Sequence, residues 1–365
     1  MEFRVTDIRY LLSVLFLFFL YATFCNAGKS DAVLFLLPKF TSTEQNVCYV
    51  QYEVEPKQCS RLCRINHDSL VDVIFEYEGL ITSYDFSVDE NTLVISGIVN
   101  NGKQKRSQVL VLTKTSDNKW RVIHLADNAS CPASDSDRVY YSKKYTNTFS
   151  VESFDFHDGK TRIFKNNVMM LYSAVVSPNG RYLAYNKSDI DTPGENIAVD
   201  SIPSGNAIYR DWISSNPVLK SRLFWDQDSS GFCFFTGKYI DGGPLALYKL
   251  ERIIIEGGSV LRKVVFSFHS NGIYGLSPDH SQYIIYSLGE FKCISTKDHS
   301  TVWAFKSKPI KLSMQNFKHF SWSKDSKKVI GILPDNSFII ADNKKGPAHC
   351  LISTNRPPNN HPKKP

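Results

Sequence analysis

LSPDHSQYIIY (Leu276–Tyr286) and VSPNGRYLAYN (Val176–Asn186) follow one plan: an apolar residue, a serine, a turn, then an apolar strand. The plan returns seven times along the chain. The other copies are FTSTEQNVCYV (Phe40–Val50), FSVDENTLVIS (Phe86–Ser96), PASDSDRVYYS (Pro132–Ser142), WDQDSSGFCFF (Trp225–Phe235) and WSKDSKKVIGI (Trp322–Ile332). Counted from the fourth residue of each copy, the spacings are 46, 46, 44, 49, 51 and 46 residues. Self-similarity at such a period marks an array or a closed propeller, in which each repeat buries its faces only against its neighbours.

The fourth position holds Thr43, Asp89, Asp135, Asn179, Asp228, Asp279 and Asp325. Asp and Asn suit a tight turn because their short side chains hydrogen-bond backbone amides two residues on. Four residues later stands an apolar or aromatic residue in every copy: Val47, Leu93, Val139, Leu183, Phe232, Tyr283 and Val329. The first position is large and apolar (Phe40, Phe86, Val176, Trp225, Leu276, Trp322) except at Pro132. The strand after the turn is apolar on both faces, as in VCYV, LVIS, FCFF and YIIY. A half-buried strand alternates, whereas a strand covered on both sides reads as a continuous apolar run. Further strand-like segments follow in each repeat, among them Val109–Lys114, Trp120–Leu125, Ser150–Phe156, Asn196–Ser201, Leu245–Leu250, Arg262–Phe268 and Ser337–Asp342. The expectation is an all-β propeller of four-stranded antiparallel blades, seven in number, with six as the alternative. Tyr140, Tyr141, Phe234 and Tyr286 should fill the wedges between blades.

SPNGRYLAY and SPDHSQYIIY resemble the S-P-D-G-[KR]-x-[LI]-[AV]-[FY] blade signature of TolB-like and prolyl-oligopeptidase-type propellers. Asn179 and Asp279 stand at the signature's turn Asp. Gly180 stands at its Gly, where His280 departs. The resemblance covers about residues 40–345, and Thr43 and Pro132 fit it least. It implies the propeller without catalysis, because the prolyl-oligopeptidase triad sits on a separate hydrolase domain.

The chain opens with MEFRVTDIR, an apolar run YLLSVLFLFFLYATF and then CNA before Gly28. This order matches a secretory signal peptide, with cleavage expected after Ala27. The run is short for a bilayer span, which takes about 20 residues. The expected organisation is a signal peptide (1–27), one propeller domain (28–354) and a disordered tail (355–365), in a protein exported to the periplasm or beyond the cell. The net charge is +7, but Lys and Arg are scattered. A nucleic-acid partner, which needs a clustered basic face, is not expected.

Beyond the leader lie Cys48, Cys59, Cys63, Cys131, Cys233, Cys293 and Cys350. The odd number leaves at least one unpaired within the chain. Cys59 and Cys63 on one extended strand would sit about 13 Å apart and could not bond, so a pairing there requires a turn. Structural disulfide or free thiol is the expected state, rather than a metal site.

No G-x-S-x-G, H-E-x-x-H or phosphate-binding loop is present. Asp226, Asp228 and Ser230 resemble the start of a calcium loop, but its twelfth position falls on Gly237 instead of Glu. His269, His280, His299 and His319 are dispersed over four segments. No catalytic residue, metal ligand or cofactor is therefore assigned. Asn128 (NAS) and Asn186 (NKS) are N-glycosylation sequons if the source is eukaryotic. The functional expectation is a secreted or periplasmic, non-catalytic scaffold that binds a protein or peptide through top-face loops or the central channel. The loops Ser188–Asn196 and Lys238–Pro244 are favoured, with Tyr239, Tyr274 and Trp303 as candidate contact or core residues. The alternative is an exported propeller hydrolase, lactonase or lyase with a channel site.

Overall fold

The computed structural model describes residues 33–350 except 42–45, 54–57, 67–70, 88, 101–103, 190–194, 213–218, 221, 240–245, 257–258, 288, 307–319, 333–337 and 343–345. The leader, the tail and most of both favoured loops lie outside the described residues, as do Thr43 and His319.

Every described element is a strand. Blade 1 is β1 (Val33–Phe40), β2 (Val47–Glu53), β3 (Cys59–Ile65) and β4 (Val71–Tyr77). Blade 2 is β5 (Leu80–Phe86), β6 (Thr92–Asn100), β7 (Lys105–Lys114) and β8 (Trp120–Asp127). Blade 3 is β9 (Ala129–Ser134), β10 (Arg138–Lys144), β11 (Phe149–Asp155) and β12 (Thr161–Asn166). Blade 4 is β13 (Val168–Val176), β14 (Tyr182–Asp189), β15 (Glu195–Ser201) and β16 (Ala207–Trp212). Blade 5 has a first strand in two pieces, β17 (Leu219–Lys220) and β18 (Phe224–Trp225). It continues with β19 (Gly231–Tyr239), β20 (Ala246–Glu256) and β21 (Ser259–Ser270). Blade 6 is β22 (Gly272–Leu276), β23 (Gln282–Ser287), β24 (Glu290–Ser295) and β25 (Thr301–Lys306). Blade 7 is β26 (Phe320–Trp322), β27 (Lys328–Ile332), β28 (Phe338–Asp342) and β29 (Gly346–Cys350). Each blade is an antiparallel meander of consecutive strands. The protein is a seven-bladed β-propeller.

Each repeat copy is the turn between the first two strands of a blade. In four blades the serine at its second position organises that turn. Its hydroxyl accepts from the backbone N–H five residues on: Thr92 to Ser87 (2.9 Å), Tyr182 to Ser177 (3.0 Å), Gln282 to Ser277 (2.9 Å) and Lys328 to Ser323 (2.8 Å). The same hydroxyls donate to the turn acid or amide, as from Ser177 to Asn179 (2.8 Å) and from Ser323 to Asp325 (2.7 Å). The acid or amide in turn accepts the N–H two residues on, as Asp279 does from Ser281 (3.1 Å). The residue after it takes a left-handed conformation: Glu90, Gly180, Ser229, His280 and Ser326 all have φ between 56° and 68°. That is why the signature favours glycine there.

Blade 3 departs. Val139 pairs with Ser134, whereas its counterparts Val329, Tyr283 and Phe232 pair with the first repeat residues Trp322, Leu276 and Trp225. The blade 3 turn is thus two residues shorter. Pro132 is not in the first position, which explains why it breaks the apolar rule.

Seven apolar clusters join the seven blades in a ring, one at each interface. Leu93 and Ile95 pack toward blade 1 while Val94, between them, packs toward blade 3. Tyr283 and Ile285 face blade 5, and Ile284 and Tyr286 face blade 7. Alternate residues therefore serve different interfaces, so the whole strand must be apolar. Tyr140, Tyr141, Phe234 and Tyr286 are buried as expected. Tyr274 and Trp303 lie on β22 and β25 rather than on loops, and both are buried in the cluster between blades 6 and 7. Trp225 and Trp322 pack between blades but are only part-buried, because each ends its strand beside the turn. Trp225 stacks on Tyr182 of blade 4 and donates to Val175 O at 3.2 Å. Trp322 lies over Gly275 of blade 6.

The ring closes by side-chain packing. Phe35 and Tyr49 of blade 1 meet Phe338 of blade 7 edge-on, with Cys63, Ile65, Ile330 and Ile332 around them. The stretch Val33–Leu37 contributes to closure through Phe35, as part of the first strand of blade 1.

Candidate functional site

Blade 5 breaks the turn rule. Asp226 occupies the second repeat position, where four other blades carry serine, and it is buried. β19 starts at Gly231, in the seventh position. A Cβ there would meet Ile253 O at 2.2 Å and Asp226 Oδ2 at 3.1 Å, so only glycine fits beside the acid. Directly across β19 and β20, Cys233 pairs with Arg252. The guanidinium holds Asp226 Oδ2 through Nη2 (2.6 Å) and Nε (3.1 Å), and Ser230 Oγ donates to the same oxygen at 3.4 Å.

The other carboxylate oxygen faces blade 6. His280, at the left-handed position of the blade 6 turn, brings Nδ1 to 3.1 Å from Asp226 Oδ1 and 3.6 Å from Cys233 Sγ. An L-residue in that conformation costs roughly 1–2 kcal/mol relative to the right-handed form. His280 Nε2 is buried with no hydrogen-bond partner. One donor atom each of Asp226, Cys233 and His280 lies within 4.8 Å of the other two, the one such convergence of three donor types among the described residues. Burial pushes the Cys233 thiol up to about 12. Burial also works against the Asp226 carboxylate, but the bonds from His280 and Arg252 outweigh it, and its pKa falls below the usual range. The cluster lies at the turn face, with the His280 side chain 16% exposed.

Sequence reasoning singled out Asp226 and Asp228 as one acidic run. The structure separates them: Asp228 is an exposed turn residue that accepts the Ser230 N–H at 2.9 Å. It brings Asp226 instead to a histidine 54 positions away in sequence. Cys233 is a buried thiol on β19. The available signal was that Asp226 and His280 each break the repeat at positions that face each other across one interface.

A second feature lies on the outside of the same blade. β21 has 12 residues, against 5–8 for the last strands of the other blades. It ends its sheet, so its outer backbone edge has no partner strand among the described residues. Leu261, Val264 and Val265 on it are 61%, 51% and 46% exposed. Its charged residues are Arg262 and Lys263, with no acid. The sequon residues differ: Asn128 is exposed and forms by itself the link between β8 and β9, whereas the Asn186 side chain is fully buried. Cys48, Cys59, Cys63, Cys233 and Cys293 are free thiols, and Cys59 and Cys63 share the extended β3, too far apart to bond. No described helix is long and apolar enough to cross a membrane.

Comparison with solved structures shows the same architecture. An oligogalacturonate lyase in complex with manganese superposes with a TM-score of 0.57 at 10% identity, covering 89% of this chain and 92% of that one. A prolyl endopeptidase gives 0.54 at 13% identity, over 86% of this chain and 47% of its own. TolB from Acinetobacter baumannii gives 0.46 at 12% identity, over 71% and 63%. No family model and no curated protein matches the sequence. The resemblance to propellers of these types is thus one of fold.

Proposed function

We infer that the protein is an exported, non-catalytic propeller that binds a partner protein. The partner supplies an extended, apolar and acidic segment that adds as a fifth strand to β21. The observation that carries this reading is the unpaired, apolar edge of that strand. Long flat edges with exposed apolar residues are normally shortened, charged or covered, because they template pairing with another chain. β21 is the longest strand of the ring and keeps three large aliphatic side chains in solvent. Strand addition draws affinity from main-chain hydrogen bonds and specificity from alternate side chains. Arg262 is held by Glu251 and Asp211 of its own chain, so it is Lys263 that favours an acidic residue in the segment. The outer edge of every blade ends its sheet, and rigid blades whose longest such edge is β21 suit a scaffold; the leader-like residues 1–27 support export.

A photo-crosslinking residue placed at Leu261 or Val264 should give one discrete adduct in the native host, and the same residue at Ile163 on β12 should give none. Val264→Glu should remove the adduct formed from Leu261. Equal labelling from β12 would discard the β21 interface. Mass spectrometry of the exported protein should find Gly28 at its N-terminus; an intact leader would discard export by signal cleavage.

A further inference from the structure

The geometry points to a transition-metal site at the junction of blades 5 and 6, in which Asp226 Oδ1, Cys233 Sγ and His280 Nδ1 bind one zinc-class dication.

The donor set is the first argument. Carboxylate, thiolate and imidazole are the three ligand types zinc uses, and three protein ligands plus a water complete a tetrahedron. The spacing is the second. With metal–nitrogen, metal–sulfur and metal–oxygen bonds of about 2.05, 2.3 and 2.0 Å, tetrahedral angles set N···S near 3.6 Å and N···O near 3.3 Å. The observed separations are 3.6 and 3.1 Å.

The surroundings supply the third argument. Arg252 and Ser230 occupy Asp226 Oδ2, which orients the carboxylate and leaves Oδ1 toward the other two donors. Such outer hydrogen bonds fix ligand geometry in metal sites. The fourth argument is the repeat itself. At the equivalent place in the neighbouring junctions, Ser229 and Ser326 accept the backbone N–H of Asn179 (3.1 Å) and Asp279 (3.0 Å). Here a histidine, a buried acid and the glycine that makes room for the acid replace that arrangement together. A turn that only had to close would need none of the three.

In the metal-free protein the His280 Nδ1–H donates to Asp226. On binding, the dication takes the place of that proton, the imidazole carries its hydrogen on Nε2, and the Cys233 thiol releases its proton to solvent. Ligand deprotonation of this kind accompanies metal binding generally.

The test is cobalt(II) titration of the chelator-stripped full chain. It should show one equivalent bound, with a thiolate-to-cobalt charge-transfer band and tetrahedral visible bands that zinc displaces. Cys233→Ser should abolish the charge-transfer band, and Cys48→Ser, which alters another buried thiol, should leave it intact. His280→Gly restores the signature residue at a left-handed turn and so keeps the fold. It should weaken binding by more than about 100-fold, since loss of even an outer hydrogen-bond partner costs about 10–100-fold. Absence of the band, its persistence in Cys233→Ser, or unchanged affinity in folded His280→Gly would each overturn the site.

Discussion

Three consecutive junctions on the turn face are built from the same repeat, and the middle one is different. Between blades 4 and 5, and again between blades 6 and 7, a serine hydroxyl ties one turn to the next. Between blades 5 and 6 an acid, a thiol, an imidazole and a guanidinium meet. Beneath the turns the interfaces are alike, each filled by aromatic and aliphatic side chains. Fold and specialisation are therefore separable here. The apolar layer carries the ring, and the turn layer above it is free to vary as long as the left-handed residue is tolerated.

The largest effects should fall below the turns and be equal at the two kinds of junction. Phe235→Ala at the blade 5–6 interface and Phe291→Ala at the blade 6–7 interface should each cost about 3–5 kcal/mol by denaturant unfolding. A gap of several kcal/mol between them would show that the polar cluster changes the layer beneath it. Next comes Gly231→Ala. It pushes a methyl against the Ile253 carbonyl and should cost about 1–3 kcal/mol, the usual range for overpacking, whereas Gln282→Ala, its blade 6 counterpart, should stay near neutral. Smaller still, Ser229→Ala and Ser326→Ala each remove one turn-to-turn hydrogen bond and should cost about 0.5–1.5 kcal/mol; no loss would mean that water replaces the hydroxyl fully.

The smallest effect concerns acid. The Asp325 carboxylate is held down at about 2 by the Lys327 N–H, the Ser323 hydroxyl and the Lys327 ammonium. An unfolded Asp titrates near about 3.9. The stabilisation is thus complete above that value and is lost as pH falls toward 2. Asp325→Asn should flatten this acid limb and reproduce in blade 7 the non-titrating turn that Asn179 already gives blade 4. An unchanged acid limb in the variant would place the sensitivity elsewhere.

The propeller was legible because its physics repeats. Seven turns at one period, each followed by a strand apolar on both faces, leave little else for the chain to form. The misfit at Pro132 came from aligning blade 3 by spacing when its turn is two residues shorter; only strand pairing reveals that. Trp225 and Trp322 share the repeat position of Phe86 and Leu276, but a strand end beside a turn does not bury an indole completely. The Asp226 cluster was hidden for another reason. Its members come from two blades, and composition does not report which turn faces which. The departure of His280 from glycine was visible in the sequence, while its partner across the junction was not.

Because each blade is made from one uninterrupted stretch of chain, the seam between blades 1 and 7 is a joint like the other six. Gene and structure then share the same unit. An in-frame duplication or deletion of some 45–50 codons would insert or remove a whole blade without orphaning a strand, and the cut ends could be moved to another joint. One-residue links such as Asn128 and Asn167 mark where the chain could be reopened and its old ends sewn together. A circular permutant begun at Ala129 would inherit all seven interfaces and differ from its parent only in which of them the chain no longer crosses.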